Sequence, residues 1–364
     1  MIREQTLHYS RSFHREVSYS IYRYEIWWKS CNFAGEMKRS VCLDIIRGGA
    51  ALLIVFFHFT WAYNNNPAHA AGVYHADWGW SVPFGYAAVV TFFMLSGYLA
   101  ARYVFAGGRR GGASPKRFIV KKLKRFYPTF WVCMTFTAVV LTLWYTEERV
   151  SLVQWLANLT MVSRLFGVPF VDGAYWTMQC ELIFVVIAAG LSLVTEPRRI
   201  YRILLAWIII SLAVQLCGFP KFLRWALITN HSQDFIAGMV IYRLRRERIT
   251  WLTGVILLLC LVNAATVDGP LGASMFFFVA SAILIYTAEL LDRYISGNNV
   301  VVRAFSWLAA ISYPLYLIHE MVGFTVIRQM RAHGLTHPTT ILIPIAIVLA
   351  IAALVHYRVE RRIK

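Results

Sequence analysis

The sequence is poor in charged residues, and acidic residues are the scarcest. Only 15% of its 364 residues are charged, and 18 Asp and Glu stand against 36 Lys and Arg. Hydrophobic residues make up 59% of the chain, and the mean hydropathy is +0.55. This composition lies outside the range of soluble globular proteins. It excludes a large soluble domain and predicts an all-α protein that crosses the membrane many times.

A cysteine framework and a cleaved signal peptide are also missing. No C-x-x-C pair occurs among the scattered cysteines, which are Cys31, Cys42, Cys133, Cys180, Cys217 and Cys260. We therefore expect neither disulfides nor a metal site. The first apolar segment is too long for a signal-peptide core and lacks a small-residue cleavage pattern. No internal repeat is evident, which argues against inverted-repeat transporter folds.

Residues 1–36 differ from the rest of the chain, because they are aromatic and basic without helical or strand periodicity. Met37-Lys38-Arg39 directly precedes the first apolar segment and looks like a natural start. We expect residues 1–36 to be a disordered tail or a mis-assigned start. Residues 37–364 are then expected to form one transmembrane domain.

Ten apolar segments predict about ten transmembrane helices. They cover residues 43–63, 82–105, 127–146, 177–195, 200–218, 227–243, 250–267, 271–291, 303–327 and 338–357. The longest connection is the loop 147–176, whose amphipathic stretch 153–158 is expected to lie on the membrane or re-enter it.

The basic residues are distributed unevenly between the two sides that ten crossings imply. Twenty-eight of the 36 Lys and Arg fall on the side of the termini, and six fall in the opposite loops. The positive-inside rule then places both termini in the cytoplasm. Because the positive charge follows the topology, we expect contact with the lipid bilayer and no nucleic acid.

Arg47 and His58 interrupt the first apolar segment. Their separation of eleven residues is three helical turns plus about 20°, so a regular helix places both side chains on one face, about 16 Å apart. An imidazole at that depth is a functional-site hypothesis. The structural alternative is a histidine that hydrogen-bonds between helices, with Arg47 as an interfacial anchor.

Further polar groups lie at or inside the other segments. Ser96-Gly97 is either a functional pair or a close-packing notch. The predicted loop before the third segment is basic, which suits either lipid headgroups or a polyphosphate ligand. Glu181 lies about one turn inside its segment, where a carboxylate is expensive unless it is paired or faces water. His319-Glu320 is expected near the outer boundary, where a solvated helix end is the alternative.

The ordered set of motifs resembles the acyltransferase family 3 membrane proteins. Leu43 to His58 matches the Arg-x10-His signature of that family, and the likeness continues to His319 through the segments 92–99, 125–128, 176–181, 235–239 and 311–319. The departures are the 36-residue leader and the residues Met178 and Cys180 in the Trp-Thr block. The resemblance covers about residues 40–320.

The resemblance implies an integral-membrane O-acyltransferase of the bacterial inner membrane. Such enzymes move an acyl group, most often acetyl, from acyl-CoA on the cytoplasmic side to a hydroxyl of a cell-surface or exported carbohydrate or glycolipid. Acetyl-CoA is thus the expected acyl donor, with no metal. Some relatives carry a fused hydrolase-like domain, so a separate periplasmic partner is expected to supply any such step here.

The expected roles divide into three groups. His58 is the candidate general base, Glu181 either orients it or binds the sugar, and Arg47 binds the donor phosphates. The other donor-binding candidates are Ser96, Lys116, Arg117, Lys121, Lys122 and Arg125. The acceptor-binding candidates are Trp176, Tyr313, Tyr316 and His319, with the tyrosines and Ser312 as hydrogen-bond donors to an oxyanion.

Two questions stay open at this stage. A covalent acyl-enzyme is the alternative to direct transfer. A multi-pass transporter, or a polysaccharide-export protein without acyl transfer, would also carry buried Arg, His and Glu.

Overall fold

Helices make up 80% of the described residues. The computed structural model describes residues 40–66, 74–105, 114–145, 148–246, 249–268, 272–295 and 299–363, and these ranges contain no strand. The predicted leader 1–36 lies outside them. In chain order the helices are α1 (Val41–Asn65), α2 (Gly85–Phe105), α3 (Pro115–Trp144), α4 (Leu152–Asn158), α5 (Tyr175–Leu191), α6 (Pro197–Leu216), α7 (Lys221–Ala226), α8 (Ser232–Leu244), α9 (Trp251–Asp268), α10 (Ala273–Leu291), α11 (Val300–Ala332) and α12 (Leu342–Arg358).

Seven of the described helices are long and apolar enough to cross a membrane: α1, α2, α3, α6, α10, α11 and α12, the last counted with the 3-10 turns that extend it to Pro338–Arg362. α5 and α9 are apolar but shorter, and α8 has only 13 residues. Each of the ten predicted segments therefore contains a helix, although fewer reach spanning length. Many side chains on the outer surface are apolar, including Leu143, Ile283 and Leu354, as expected of a multi-pass integral membrane protein. The count of ten crossings and the side of the termini stay predictions.

α3 corrects one prediction, because the basic stretch before residue 127 is helix and not loop. The helix begins at Pro115, with the Ser114 hydroxyl accepting a hydrogen bond from the Arg117 amide as its N-cap. Proline at the first position suits a helix start, and Lys and Arg are good helix formers. Hydropathy could not show this boundary, since the first three turns of α3 are charged.

α1 is a regular α-helix only as far as Phe56. Residues Phe57–Ala62 form a π-helical turn, in which the Tyr63 amide donates to the His58 carbonyl five residues earlier. Such wide turns are rare and are frequent at functional sites. His58 lies on this turn, so the 20° offset from Arg47 expected of a regular helix does not apply unchanged.

α11 is the central helix of the bundle and packs against α1, α3 and α12, while α2 packs against α1, α8 and α10. The tightest crossing joins α2 to α8. A Cβ at Gly97 would lie 2.1 Å from the Phe235 carbonyl oxygen, and one at Gly238 would lie 1.9 Å from the Met94 carbonyl oxygen. Only glycine permits this approach of two backbones, which favours the packing interpretation of the Ser96-Gly97 pair.

The segment between α3 and α5 runs back along α3 rather than away from it. The Trp155 indole donates to the Thr135 hydroxyl at 3.1 Å, and the Tyr127 hydroxyl donates to the Thr160 carbonyl at 2.8 Å. Thr135 and Tyr127 are about 12 Å apart along the helix axis. The amphipathic stretch predicted at 153–158 is thus a short helix, α4, that descends beside α3.

Candidate active site

A row of polar side chains crosses the interior of the helix bundle. It begins on the N-terminal half of α3, passes between α2 and α5, and ends where α1 meets α11. Neighbouring members are in contact or lie one helical turn apart. We call this set the polar row, and its members are Lys122, Glu181, Ser96, Thr177, Tyr316, His319, His58 and Glu320.

His58 lies on the wide turn of α1 and faces α11. Its ring is 4.8 Å from the His319 ring in a nearly perpendicular arrangement, and its Nδ1 is 3.6 Å from Oε1 of Glu320. The latter distance is longer than a hydrogen bond. Catalytic hydrogen bonds, however, commonly tighten only when the substrate binds. Glu320 is therefore placed to hold a proton on Nδ1 once the two groups approach, and Nε2 of His58 then carries none.

His319 is fully buried, which excludes the alternative of a solvated helix end at this position. The helix continues to Ala332. His319 Nδ1 lies 2.8 Å from the Tyr316 carbonyl oxygen, which can only accept, so Nδ1 carries the proton. Nε2 is left as an unprotonated acceptor that is buried and has no hydrogen-bond partner among the described residues. A buried acceptor of this kind is available to a substrate group.

Glu320 lies against the loop that precedes α5. A Cβ at Gly173 would be 2.6 Å from Oε1 of Glu320, so a larger residue there would displace the carboxylate. The adjacent Asp172 is buried and accepts hydrogen bonds from the Ala174 amide at 2.9 Å and the Met321 amide at 3.0 Å. Burial, and next the neighbouring Glu320 carboxylate, raise the pKa of Asp172 well above its usual range.

Asp172 and Tyr175 also form hydrogen bonds with the backbone of α11 close to His319. The Met321 amide donates to Asp172, and the Leu317 carbonyl accepts from the Tyr175 hydroxyl at 2.9 Å. The Leu317 carbonyl and the Met321 amide are the i,i+4 partners of one helical turn of α11. Each of them binds a side chain from outside the helix. Sequence reasoning missed Asp172, because one aspartate in a long loop carries no local signal.

Glu181 and His58 lie in different parts of the polar row and have different neighbours. Its Oε1 accepts a hydrogen bond from the Ser96 hydroxyl at 2.7 Å and lies 3.6 Å from the Lys122 ammonium. Glu181 is not within ion-pair distance of His58, whereas Glu320 is. One turn earlier on α5, the Thr177 hydroxyl donates to the Tyr316 hydroxyl at 2.9 Å. α5 thus connects Glu181, through Thr177, to Tyr316 and the neighbouring His319.

The predicted donor-binding residues lie on three helices, α1, α2 and α3. Lys116 and Arg117 are exposed at the start of α3, Lys121 and Arg125 are half-buried further along it, and the Lys122 ammonium lies over the Phe118 and Phe126 rings. Arg47 is half-buried on the regular part of α1. Lys122 and Ser96 are the donor-binding candidates that the structure brings into contact with Glu181.

Two predicted acceptor-binding residues, Trp176 and Tyr313, have partners away from His58 and His319. The Trp176 ring lies 5.0 Å from the His231 ring and 6.0 Å from the Phe93 ring, on the α2 and α8 side. The Tyr313 hydroxyl donates to the Phe126 carbonyl on α3 at 2.8 Å. Tyr316 and His319, in contrast, both belong to the polar row.

Comparison with known families decides the classification. A family model described as an acyltransferase domain, of the acyltransferase 3 type, matches residues 40–357, which is most of the chain. The chain belongs to the acyltransferase 3 family. No curated protein and no solved structure matches it significantly. Every member of the polar row falls within the matched part of this membrane acyltransferase, as does every predicted site residue.

Proposed function

We propose that this membrane acyltransferase transfers an acyl group, most often acetyl, from acyl-CoA to a hydroxyl of a cell-surface or exported carbohydrate. The observation that carries the proposal is the group formed by His58, His319 and Glu320 at the meeting of α1 and α11. A histidine with a carboxylate at Nδ1 is the arrangement of a general base held in one tautomer.

The proposed reaction is direct transfer. Nε2 of His58 takes the proton of the acceptor hydroxyl while the alkoxide oxygen attacks the thioester carbonyl. The carbon–sulfur bond then breaks, and the leaving thiolate takes the proton from His58, which gives an ester and free CoA thiol. Glu320 stabilises the imidazolium that exists between the two proton transfers. His319 Nε2 serves as a hydrogen-bond acceptor for the sugar.

The donor side of the site is proposed to be the basic half of α3. CoA carries several phosphate charges, and arginine and lysine form strong hydrogen bonds to phosphate oxygens. The polar row connects Lys122 in this half of α3 to His58. With the predicted topology, acyl-CoA enters from the cytoplasm and the acceptor from the opposite side of a bacterial inner membrane. A separate periplasmic protein is proposed for any later hydrolase step.

Thiol release tests the proposal directly. Purified protein in lipid nanodiscs is mixed with acetyl-CoA and a panel of glycans, and free thiol is measured over time. We expect glycan-dependent release by the wild type and a loss of about 100-fold or more in His58→Ala, as for removal of a general base. Arg47→Ala is expected to raise the acyl-CoA KM more than Glu181→Ala does.

His333→Ala is the matched control for His58→Ala. His333 is an exposed histidine past the C-terminal end of α11, so its removal should leave thiol release unchanged. Near wild-type release by His58→Ala, at equal amounts of folded protein, would contradict the proposal. A wild type that moves substrate with an ion gradient and consumes no thioester would favour a transporter instead.

A further inference from the structure

The wide turn that carries His58 departs from the regular helix around it. Residues Phe57–Ala62 follow the i,i+5 pattern, as the hydrogen bond from the Tyr63 amide to the His58 carbonyl shows. An inserted π turn breaks the regular i,i+4 ladder, so nearby carbonyl groups need other partners. In this structure, side chains donate hydrogen bonds to two carbonyl groups at the turn, those of Phe56 and Phe59.

Thr60 supplies the first of them. Its side chain is fully buried, and its hydroxyl donates to the Phe56 carbonyl at 2.6 Å, directly before the π turn. The same oxygen accepts a hydrogen bond from the Val82 amide at 2.9 Å. One hydroxyl thus connects the start of the wide turn to the segment that leads into α2.

Trp78 supplies the second. Its indole nitrogen donates to the Phe59 carbonyl at 2.9 Å, and its ring is 2% exposed. The Arg331 guanidinium lies 4.4 Å from the centre of that ring. The segment 74–84 therefore contacts the wide turn twice, through the Val82 amide and the Trp78 indole. The segment itself contacts α11 through Arg331.

We propose that Thr60 is a positioning residue, whose hydroxyl keeps the wide turn in the shape that directs His58 toward Glu320 and His319. Thr60 acts through His58 and does not contact the reactants. The inference rests on the proposed function, since it concerns the same base. It assigns the same task to the Trp78 indole, which binds the turn at the Phe59 carbonyl.

Two variants test the Thr60 hydroxyl. Thr60→Val keeps the side-chain shape and removes both hydrogen bonds, whereas Thr60→Ser keeps the hydroxyl. We expect kcat for thiol release to fall about tenfold to 100-fold in Thr60→Val, as for a displacement of about 1 Å, with the acyl-CoA KM unchanged. Thr60→Ser should restore most of the rate.

Thr91→Val is the matched control, because the Thr91 hydroxyl makes an equivalent pair of hydrogen bonds elsewhere. It donates to the Ala87 carbonyl at 2.7 Å and pairs with the Ser281 hydroxyl at 2.9 Å. Its loss should leave kcat per folded enzyme unchanged. If Thr91→Val lowers kcat as much as Thr60→Val does, the effect is general destabilisation and the inference is overturned.

A readout independent of activity separates this inference from the proposed function. Hydrogen exchange measured by mass spectrometry should show faster exchange of the amides in residues 56–63 in Thr60→Val but not in Thr91→Val. Should Thr60→Val fail to fold, Trp78→Phe removes the second donor and keeps an aromatic side chain, and it should lower kcat in the same way. An inactive wild type overturns the proposed function. An active wild type with full kcat in Thr60→Val, or in Trp78→Phe as the substitute variant, overturns only this inference.

Discussion

The carboxylate that approaches His58 comes from α11, far along the chain from α1. On sequence grounds Glu181 was the candidate for this role, because a carboxylate one turn inside an apolar segment is conspicuous. The sequence places Glu320 near the outer boundary of its segment, with a solvated helix end as the alternative. The structure instead places Glu181 beside Ser96 and Lys122, at the donor end of the polar row. The two glutamates are therefore expected to differ in their effects on catalysis.

Neutralising each glutamate in turn tests that difference. Glu320→Gln keeps the shape of the side chain but removes the charge that stabilises the His58 imidazolium, so kcat should fall about 100-fold or more. Glu181→Gln keeps an acceptor for Ser96 and loses the ion pair with Lys122, so it should mainly raise the acyl-CoA KM. The reverse order, with the larger kcat loss in Glu181→Gln, would return the orienting role to Glu181.

At the scale of secondary structure, the site depends on hydrogen bonds between α11 and the segment that leads into α5. The Leu317 and Met321 backbone groups of α11 have partners on Tyr175 and Asp172, directly beside His319 and Glu320. The loop before α5 is thus bound to α11 where the site lies. Hydropathy places helices along a chain, but it contains no information about such attachments.

Asp172→Ala should loosen this attachment. Two backbone amides, of Ala174 and Met321, lose their acceptor, at about 1–3 kcal/mol for each buried group left unpaired. Thermal unfolding in detergent should show the loss. Asp77→Ala is the control, because Asp77 accepts from the Gly79 amide in the same two-residue geometry but at an exposed position. Equal losses in both variants would mean that burial at Asp172 adds nothing.

The raised pKa of Asp172 also predicts the sign of a pH effect. Between the usual aspartate pKa and the raised one, the folded protein binds a proton that the unfolded chain has released. The contribution of Asp172 to stability is therefore largest at low pH and falls as the pH rises through that window. The unfolding temperature should decline with pH more steeply in the wild type than in Asp172→Ala. A steeper decline in the variant would contradict the assignment.

At the scale of the whole molecule, the two ends of the polar row differ in their surroundings. The basic half of α3 and the Asp172 loop lie at opposite ends of the polar row. Such a row suits a reaction whose two substrates arrive from different sides of a membrane. The predicted topology, with both termini in the cytoplasm, assigns the basic end to the cytoplasmic side.

Reporter fusions test that topology. Ten crossings place the connections after α6 and after α9 outside, and those after α8 and after α10 in the cytoplasm. A periplasm-active phosphatase fused at each point should be active only in the first two positions, and a cytoplasm-active fluorescent reporter only in the others. Active phosphatase on both sides of α8 would show that this short helix does not cross.

Composition and hydropathy alone determined the class of this protein and the place of its helices, because apolar segments and basic flanks are local properties of the chain. Arg47 and His58 were found in the same way, since charged groups stand out in apolar segments. The start of α3, the wide turn at His58 and the pairing of His58 with Glu320 were decided by tertiary structure. The start of α3 is polar, and the other two depend on contacts between distant segments. Such contacts follow from how helices pack, and one-dimensional patterns of apolar residues do not record which helix faces which.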